Sequence, residues 1–221
     1  MIGILKSSII GGFEDCFEYN CLTLFGEAYK YIRENSDINI DWDEENISAN
    51  FFNYIDKSEK AIGLNINISD ECRLYYDIIL KGKIPAKKAP RIDFRLTTNW
   101  LEEKKRLEYF VEAKNLIESD CYKSGRKSKI SAQEKHERYI NTGIDNFISG
   151  RYPQKGCIVG YVLQGVPNKI VNKINAYLQQ CNRTSEYLYS MESTIQNLEF
   201  CYQSIHNNGI KIKHFLLQFS A

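Results

Sequence analysis

Two short stretches of the chain alternate between apolar and polar residues, as strands with one buried face do. Residues 91–96 and 108–114 show this pattern, and each carries an acid within its apolar run, Asp93 in the first and Glu112 in the second. Acids are rarely buried in strands unless a cation or hydrogen-bond donors compensate the charge. Lys114 follows Glu112 by two positions, so both side chains point to the same face of the predicted strand.

The rest of the hydrophobic pattern predicts helices on either side of these strands. Apolar residues recur at helical spacing over residues 14–33, 43–57, 131–148, 168–180 and 186–205. Further strand patterns cover residues 63–68, 156–163 and 211–217, and a turn near residues 97–99 is expected to join the two acid-bearing strands. This order predicts one α/β domain over residues 1–221, with a mixed central sheet flanked by helices.

Two helix starts carry recognisable capping residues. Asp43 is the predicted N-cap of the second helix, which has acids in its first turn, as the helix dipole favours. Ser131 is the predicted N-cap of the helix over residues 131–148, and Glu134 completes a capping box with it.

Charge is balanced over the whole chain but clustered locally. The formal net charge is +1, which argues against a protein that coats nucleic acid without specificity. Lysine and arginine concentrate in residues 81–95, 104–106 and 123–138. Two basic loops, residues 81–88 and 123–129, therefore flank the acid-bearing strands and are expected to contact a phosphate backbone.

Other common kinds of site are not predicted. The 7 cysteines are scattered without a Cys-x-x-Cys pair, so buried free thiols are expected rather than disulfides or a zinc site. The three histidines, His136, His206 and His214, lie far apart in sequence and predict no shared metal site. No apolar stretch reaches the roughly 20 residues of a membrane span. The first residues also lack a signal-peptide pattern, so a cytoplasmic protein with no membrane partner is expected.

The acids and the lysine suit metal-assisted phosphodiester hydrolysis. Mg²⁺ takes oxygen ligands, usually one or two carboxylates with water and substrate phosphate, and Asp93 and Glu112 would supply the carboxylates. The backbone carbonyl of Ala113 would add a neutral ligand, and Mn²⁺ could substitute for Mg²⁺. Lys114 beside the attacking water would orient it, lower its pKa or stabilise the pentavalent transition state.

The arrangement Asp93 … Glu112-Ala113-Lys114 resembles the PD-(D/E)xK nuclease superfamily. Its restriction-endonuclease-like fold wraps helices around a mixed sheet in the order αβββαβ. The resemblance covers about residues 41–165, which leaves the N-terminal helix, the C-terminal helices and the final strand as elaborations. One departure from the motif is that Pro90 lies three residues before Asp93 instead of beside it.

The resemblance implies a function and its partners. We expect a Mg²⁺-dependent endonuclease that acts on DNA rather than RNA, from a restriction or other anti-phage defence system. A defence-system protein is the implied partner. The C-terminal helices could form a homodimer face that brings two active sites together, or could simply cover the sheet.

Many members of the superfamily add an acid from the first core helix, and Glu44 and Glu45 are the candidates here. Glu44 shares a helix face with Ile47 and Phe51, which we expect to face the core, so Glu44 is favoured. Both acids could instead lie at this helix end only because the dipole favours negative charge there.

The helix that follows Lys114 offers candidate phosphate-binding side chains. Similar nucleases use Lys, Arg, Gln or Tyr from this helix against the scissile phosphate, which implies Lys135, Arg138 and Tyr139 in this chain. Tyr139 could instead pack in the core.

The alternative function is non-enzymatic. A catalytically inactive nuclease-fold subunit would bind nucleic acid or serve in assembly. In such a protein Asp93, Glu112 and Lys114 would form a buried ion-pair network, although such networks are costly and rarely needed for stability.

Overall fold

A computed structural model describes residues 7–102, 105–125, 127–207 and 209–220. Within these ranges the chain forms a seven-stranded mixed sheet with helices packed on both faces, and a separate two-stranded ribbon. The helices are α1 (Ser7–Asn35), α2 (Glu44–Asp56), α3 (Glu59–Gly63), α4 (Asp77–Leu80), α5 (Ala132–Arg138), α6 (Asp145–Ile148) and α7 (Pro167–Gln180). The strands are β1 (Asn67–Arg73), β2 (Arg91–Glu102), β3 (Lys105–Ile117), β4 (Cys121–Tyr122), β5 (Lys129–Ile130), β6 (Gly156–Gln164), β7 (Tyr189–Ser190), β8 (Phe200–Ile205) and β9 (Lys211–Gln218).

The sheet combines parallel strands at its centre with antiparallel strands at its edges. Its order is β1-β2-β3-β6-β9-β8-β7, with β4 and β5 forming the separate ribbon. The pairs β3–β6 and β6–β9 are parallel, whereas β1–β2, β2–β3, β8–β9 and β7–β8 are antiparallel. Because helices cover both faces of the central strands, β6 is buried along almost its whole length, which its continuous run of apolar residues permits.

Aromatic packing fixes α1 and α2 on one face of the sheet. The ring of Phe25 lies 5.7 Å from Phe51 and 5.3 Å from Phe94, measured between centroids. Phe51 also stacks on Tyr161 of β6 at 5.4 Å. These contacts hold α1 and the middle of α2 against β2 and β6.

The predicted α/β architecture, a mixed sheet flanked by helices, is confirmed. Four of the five predicted helices are present, and the two acid-bearing strands lie next to each other. Ser131 caps α5 as predicted, since its Oγ accepts the backbone N–H of Glu134 at 3.2 Å. Beyond α5 the helical segment continues through a π-helical turn (Tyr139–Ile144) into α6.

The strand predicted over residues 63–68 is wrong in its position. Ser58 accepts a hydrogen bond from the backbone N–H of Ala61 and thereby starts α3, which runs to Gly63. Asn65 then adopts a left-handed conformation with φ of 50°, so the strand begins only at Asn67. The alternation of residues 63–68 is therefore shared between a helix end, a turn and the start of β1.

The turn predicted near residues 97–99 is also wrong, because these residues lie inside β2. Thr97, Thr98 and Trp100 favour extended backbone, and β2 continues to Glu102 with a register irregularity between Thr98 and Glu102. The connection to β3 falls at residues 103–104, outside the described part of the chain.

The helix predicted over residues 186–205 is wrong. This segment contains the end of a 3₁₀ turn (Thr184–Glu186), then β7 and β8. Asn197 has φ of 66°, which an α-helix does not allow, and the aromatic residues Phe200 and Tyr202 lie in β8, as their strand preference favours. The predicted homodimer face therefore loses one of its two helices and retains α7.

The cysteines form no disulfides, as predicted, but their burial is mixed. Cys21, Cys157 and Cys201 are buried free thiols, whereas Cys16 and Cys181 are exposed. None of the helices in the described ranges combines the length and the apolar character needed to cross a lipid bilayer.

Candidate active site

Asp93 and Glu112 meet across the boundary between β2 and β3. Phe94 pairs with Val111 in the antiparallel register, and continuing this register by one residue places Asp93 opposite Glu112. Oδ2 of Asp93 accepts the backbone N–H of Ala113 at 2.6 Å. The two acids thus lie side by side on neighbouring strands.

The ammonium group of Lys114 lies among three carboxylates. Its Nζ is 2.6 Å from Glu112 Oε1, 3.4 Å from Glu44 Oε1 and 3.9 Å from Asp93 Oδ2. The same Nζ donates to the backbone carbonyl of Ala113 at 2.7 Å. The Lys114 side chain is 7% exposed and that of Glu112 is 5% exposed, so this acid–lysine cluster (Glu44, Asp93, Glu112, Lys114) is partly buried and open mainly at Asp93 and Glu44.

Glu44 joins the cluster because β3 extends beyond the start of β2. The paired register of β2 and β3 ends at Phe94 and Val111, so the backbone of β3 beyond Val111 has no β2 partner in that register. Oε2 of Glu44 accepts the backbone N–H of Asn115 at 2.9 Å and fills the hydrogen-bonding position that β2 does not reach. Glu45 points away, with 81% of its side chain exposed and its carboxylate 4.0 Å from Arg91.

Burial sets the protonation behaviour of the cluster. It raises the pKa of Glu112 to about 8, although the neighbouring Lys114 acts in the opposite direction. Burial likewise raises the pKa of Asp93. For Lys114 burial favours the neutral amine, but the combined attraction of Glu112, Glu44 and Asp93 outweighs it and raises the pKa. Lys114 is therefore the positive centre of the cluster.

One oxygen of Glu112 has no hydrogen-bond partner in the described part of the chain. Its Oε2 is buried, and the nearby hydroxyl of Tyr152 donates its hydrogen to the backbone carbonyl of Arg91 at 2.8 Å. A buried carboxylate oxygen without a donor or a cation is costly. This oxygen therefore fits an additional positive ligand next to Asp93.

The residues around this oxygen suit a hard divalent cation. Carboxylate oxygens of Asp93 and Glu112 and the carbonyl of Ala113 form an all-oxygen donor set, as Mg²⁺ prefers. Across residues 7–102, 105–125, 127–207 and 209–220, no three His, Cys, Asp or Glu side chains group closely enough to hold a metal by themselves.

A cavity of about 370 Å³ opens beside the cluster, between the start of α2 and the end of β3. Glu44, Lys123, Lys135 and Arg138 all line it. Burial and the neighbouring Arg138 lower the pKa of Lys135. Neither Lys135 nor Arg138 forms an ion pair with another described residue. The structure thus brings two of the three predicted phosphate-binding side chains to the cluster.

Tyr139, the third, is not part of this cavity. It is fully buried, and its hydroxyl is hydrogen-bonded to Nδ1 of His214 at 2.9 Å. A side chain without exposed surface cannot contact a phosphate that arrives from solvent, so the predicted phosphate contact of Tyr139 is wrong. Tyr139 packs in the core, which was the alternative.

Two of the histidines are closer together than their positions in the sequence suggested. Oγ of Ser204 is 2.8 Å from Nε2 of His206 and 2.8 Å from Nε2 of His214. Nδ1 of His206 is 2.7 Å from Oε2 of Glu186. Together with Tyr139, these residues form a network of hydrogen bonds in the interior. Their spacing in the sequence did not reveal this network, because it joins several separate elements and loops.

The two basic loops differ in their relation to the cavity. Lys123 lines it, and its Nζ contacts Oδ1 of Asp43 at 2.6 Å and the backbone carbonyl of Asp41 at 3.1 Å. Residues 81–88 do not line the cavity. Their backbone carbonyls at Ala86 and Lys87 accept hydrogen bonds from Arg73 of β1.

Two further residues of the cavity were missed from the sequence. Nδ2 of Asn115 donates to the backbone carbonyl of Trp42 at 3.1 Å, and both side chains line the cavity. The available signals were the polar Asn115 directly after Lys114 in an apolar run and a tryptophan just before the helix that carries Glu44.

Comparison with known proteins gives no match to a protein-family model, to a curated protein or to a solved structure. The geometry of the cluster and its cavity therefore carries the functional argument.

Proposed function

We propose that this protein is a Mg²⁺-dependent nuclease that hydrolyses phosphodiester bonds in nucleic acid, with DNA preferred over RNA. One observation carries the proposal: Lys114 lies among Asp93, Glu112 and Glu44, while Oε2 of Glu112 is buried and has no hydrogen-bond partner among the described residues. A group of acids with one lysine and an unused carboxylate oxygen suits the binding of a cation next to a phosphate.

Asp93, Glu112 and the carbonyl of Ala113 would hold the ion. A bound Mg²⁺, or Mn²⁺ in its place, would neutralise phosphate charge and lower the pKa of a water molecule. Lys114 would donate a hydrogen bond to the attacking water or to a phosphate oxygen, where negative charge develops. Glu44 would keep the Lys114 ammonium in position and fix the end of β3, since it contacts both Lys114 and the backbone of Asn115.

Lys135 and Arg138 would bind the phosphate backbone from the neighbouring cavity. Glu44 and Asp43 lie near Lys135 but not within ion-pair distance, and no described acid lies within that distance of Arg138, so a phosphate would not have to break a close ion pair with a described residue. Phosphate contacts position the chain without reading bases, so these two residues would set register rather than sequence preference.

The setting of the reaction follows from resemblance. The order Asp93 … Glu112-Ala113-Lys114 on adjacent strands resembles the PD-(D/E)xK superfamily, and on that basis we place the protein in a cytoplasmic restriction or anti-phage defence system. A defence protein would be its partner, and α7 offers a face for a second copy of the chain.

Plasmid nicking tests the proposal. The purified protein with Mg²⁺ or Mn²⁺ is expected to convert supercoiled plasmid into nicked and linear forms, and EDTA is expected to prevent this. Lys114→Ala and Asp93→Asn are expected to abolish nicking while the unfolding midpoint in urea stays measurable. Lys57→Ala is the matched control, because Lys57 is exposed at the other end of α2 from Glu44. Cleavage retained by Lys114→Ala, with contaminating nucleases excluded, would contradict the mechanism.

One observation favours the inactive alternative. Lys114 already forms short contacts with Glu112 and with the carbonyl of Ala113, as in an ion pair that serves the fold. An inactive subunit would bind DNA but leave plasmid intact with either metal. Its Lys114→Ala variant would lose stability without any change in a cleavage rate.

A further inference from the structure

The cavity beside the acid–lysine cluster is lined by two chemically different sets of residues. Three are cations, Lys123, Lys135 and Arg138. Others are apolar, including Ile40, Trp42 and Leu163. A site that served only the phosphate backbone would need the cations alone. The apolar residues therefore indicate a ligand that has an apolar part beside its anionic group.

A buried acceptor without a partner belongs to a residue that lines the cavity. Asn115 is 6% exposed, and its Nδ2 donates to the carbonyl of Trp42. Its Oδ1 has no hydrogen-bond partner among the described residues and almost no exposed surface. An N–H donor of a ligand would therefore satisfy this oxygen once the Asn115 amide turns toward the cavity.

Size restricts the ligand further. The volume of about 370 Å³ lies at the small end of the usual range for ligand sites, about 300–1,000 Å³. This is room for one nucleotide and not for a stacked base pair. All four bases carry N–H donors on the Watson–Crick edge, but pairing occupies these donors in a duplex.

We propose that this cavity holds one unpaired nucleotide next to the scissile phosphate, so that single-stranded or locally unpaired nucleic acid is the preferred substrate. This inference rests on the proposed nuclease function. Trp42 would stack on the base, the Oδ1 of Asn115 would accept a hydrogen bond from its Watson–Crick edge, and Lys135 with Arg138 would hold its phosphate. Stacking on an aromatic side chain tolerates every base, so the site would select an unpaired state rather than a sequence.

The two tryptophans of the chain give a direct measurement. Trp42 lines the cavity, whereas the indole N–H of Trp100 is bonded to the backbone carbonyl of Leu64 and its ring packs against Phe17. In Trp100→Phe the remaining fluorescence reports on Trp42. Titration with a short oligothymidylate in EDTA, where no strand is cut, is expected to quench this fluorescence. The matched variant Trp42→Phe, which retains Trp100, is expected to show little quenching.

Affinity should depend on the unpaired state. Trp42→Leu is expected to weaken oligothymidylate binding by about 5- to 150-fold, the range of one base–aromatic stack, and to leave binding of a duplex of the same length nearly unchanged. Asn115→Ala is expected to act in the same direction. Urea unfolding of each variant separates a loss of fold from a loss of binding. A single-stranded RNA of the same length shows whether the sugar matters.

Each outcome decides the inference. Equal affinity for single strand and duplex, or Trp42 fluorescence that does not respond to oligothymidylate, overturns it. Preferential quenching by the single strand, lost in Trp42→Leu, supports it. Because these titrations contain no metal, failure of the nuclease proposal would be seen separately, as intact plasmid in the presence of Mg²⁺.

Discussion

Glu44 and Glu45 are neighbours in the sequence but occupy very different surroundings. Glu44 contacts both Lys114 and the backbone of Asn115, and 22% of its side chain is exposed, against 81% for Glu45. The chain therefore offers an internal comparison, because the same substitution at the two positions changes charge equally but disturbs the cluster at only one of them.

Glu44→Gln is expected to reduce the plasmid cleavage rate by about 10- to 100-fold, as loss of a group that orients another active-site residue usually does. Glu45→Gln is expected to stay within about twofold of the unmodified protein, because its carboxylate contacts only the exposed side chain of Arg91. Initial cleavage rates at saturating Mg²⁺ provide the measurement. Equal losses of cleavage rate in both variants would show that the rate depends on negative charge at the helix end rather than on the contact between Glu44 and Lys114.

The buried histidines connect acid pH with stability. Burial lowers the pKa of His214 to about 3, from an ordinary value of 6.5, and also lowers the pKa of His206. Below pH 6.5 the unfolded chain takes up protons at these positions that the folded chain does not bind. The contribution of these histidines to the free energy of unfolding is therefore constant above about pH 6.5, and it falls as the pH drops toward 3.

Urea unfolding at pH 7, 6, 5 and 4 checks this expectation, with a loss from His214 of up to about 1.4 kcal/mol for each pH unit. His214→Gln removes this titration but retains a neutral polar side chain. It is expected to lower stability at pH 7, where hydrogen bonds to Tyr139 and Ser204 are disturbed, and to make the decline toward pH 4 shallower. Parallel curves for the two proteins would contradict the assignment to His214.

At the scale of elements, the sequence predicted the parts of the site that depend on local patterns. Glu44 was placed correctly on the core-facing side of its helix because Ile47 and Phe51 share that side and are buried. The acid-bearing strands were recognised by their alternation. Contacts between distant segments could not be read in this way, so the choice between the two interpretations of Tyr139 stayed open and the meeting of His206 with His214 was missed.

The segment over residues 186–205 shows why a helical pattern can mislead. Its apolar residues have a spacing that suits a helix, but the left-handed conformation at Asn197 and the pairing of β8 with β9 decide the outcome. Pairing with a neighbouring strand is a tertiary interaction, and it overrides the weak local preference.

Ser131 allows a prediction about the helix that carries Lys135 and Arg138. Its Oγ satisfies the backbone N–H of Glu134 at the start of α5, so Ser131→Ala is expected to lower the free energy of unfolding by about 0.5–2 kcal/mol. Urea unfolding monitored by circular dichroism provides the measurement. Ser128→Ala is the control, because Ser128 lies in a bend before β5 and caps no helix, and it is expected to change stability by less than about 0.5 kcal/mol.

For the molecule as a whole, balanced charge limits how nucleic acid can be bound. With a formal net charge of +1, attraction must come from local groups, and three cations line the cavity. The logarithm of the affinity for oligothymidylate is therefore expected to fall with the logarithm of salt concentration with a slope of about −1.4, since Lys135 and Arg138 are the cations assigned to phosphate and each neutralised phosphate contributes roughly −0.7 for single strands.

Titrations between low and moderate salt test this number. Lys135→Ala is expected to reduce the slope by about 0.7, whereas Lys57→Ala, far from the cavity, is expected to leave it unchanged. A much steeper slope in the unmodified protein would mean that further basic segments, such as residues 81–88, also contact the strand.

β3 extends beyond the start of β2, and this also affects the stage of synthesis at which the acid–lysine cluster can form. The backbone position left open there is filled by Glu44, which lies 70 residues before Lys114 in the chain. A contact over that distance requires a long loop to close and forms after local structure. A nascent chain that has exposed α2 but not β3 lacks Glu112 and Lys114, two of the four members of the cluster. Under the proposed function, such a chain cannot cleave nucleic acid near the ribosome. It becomes able to do so only after the sheet has folded and α2 has packed against it.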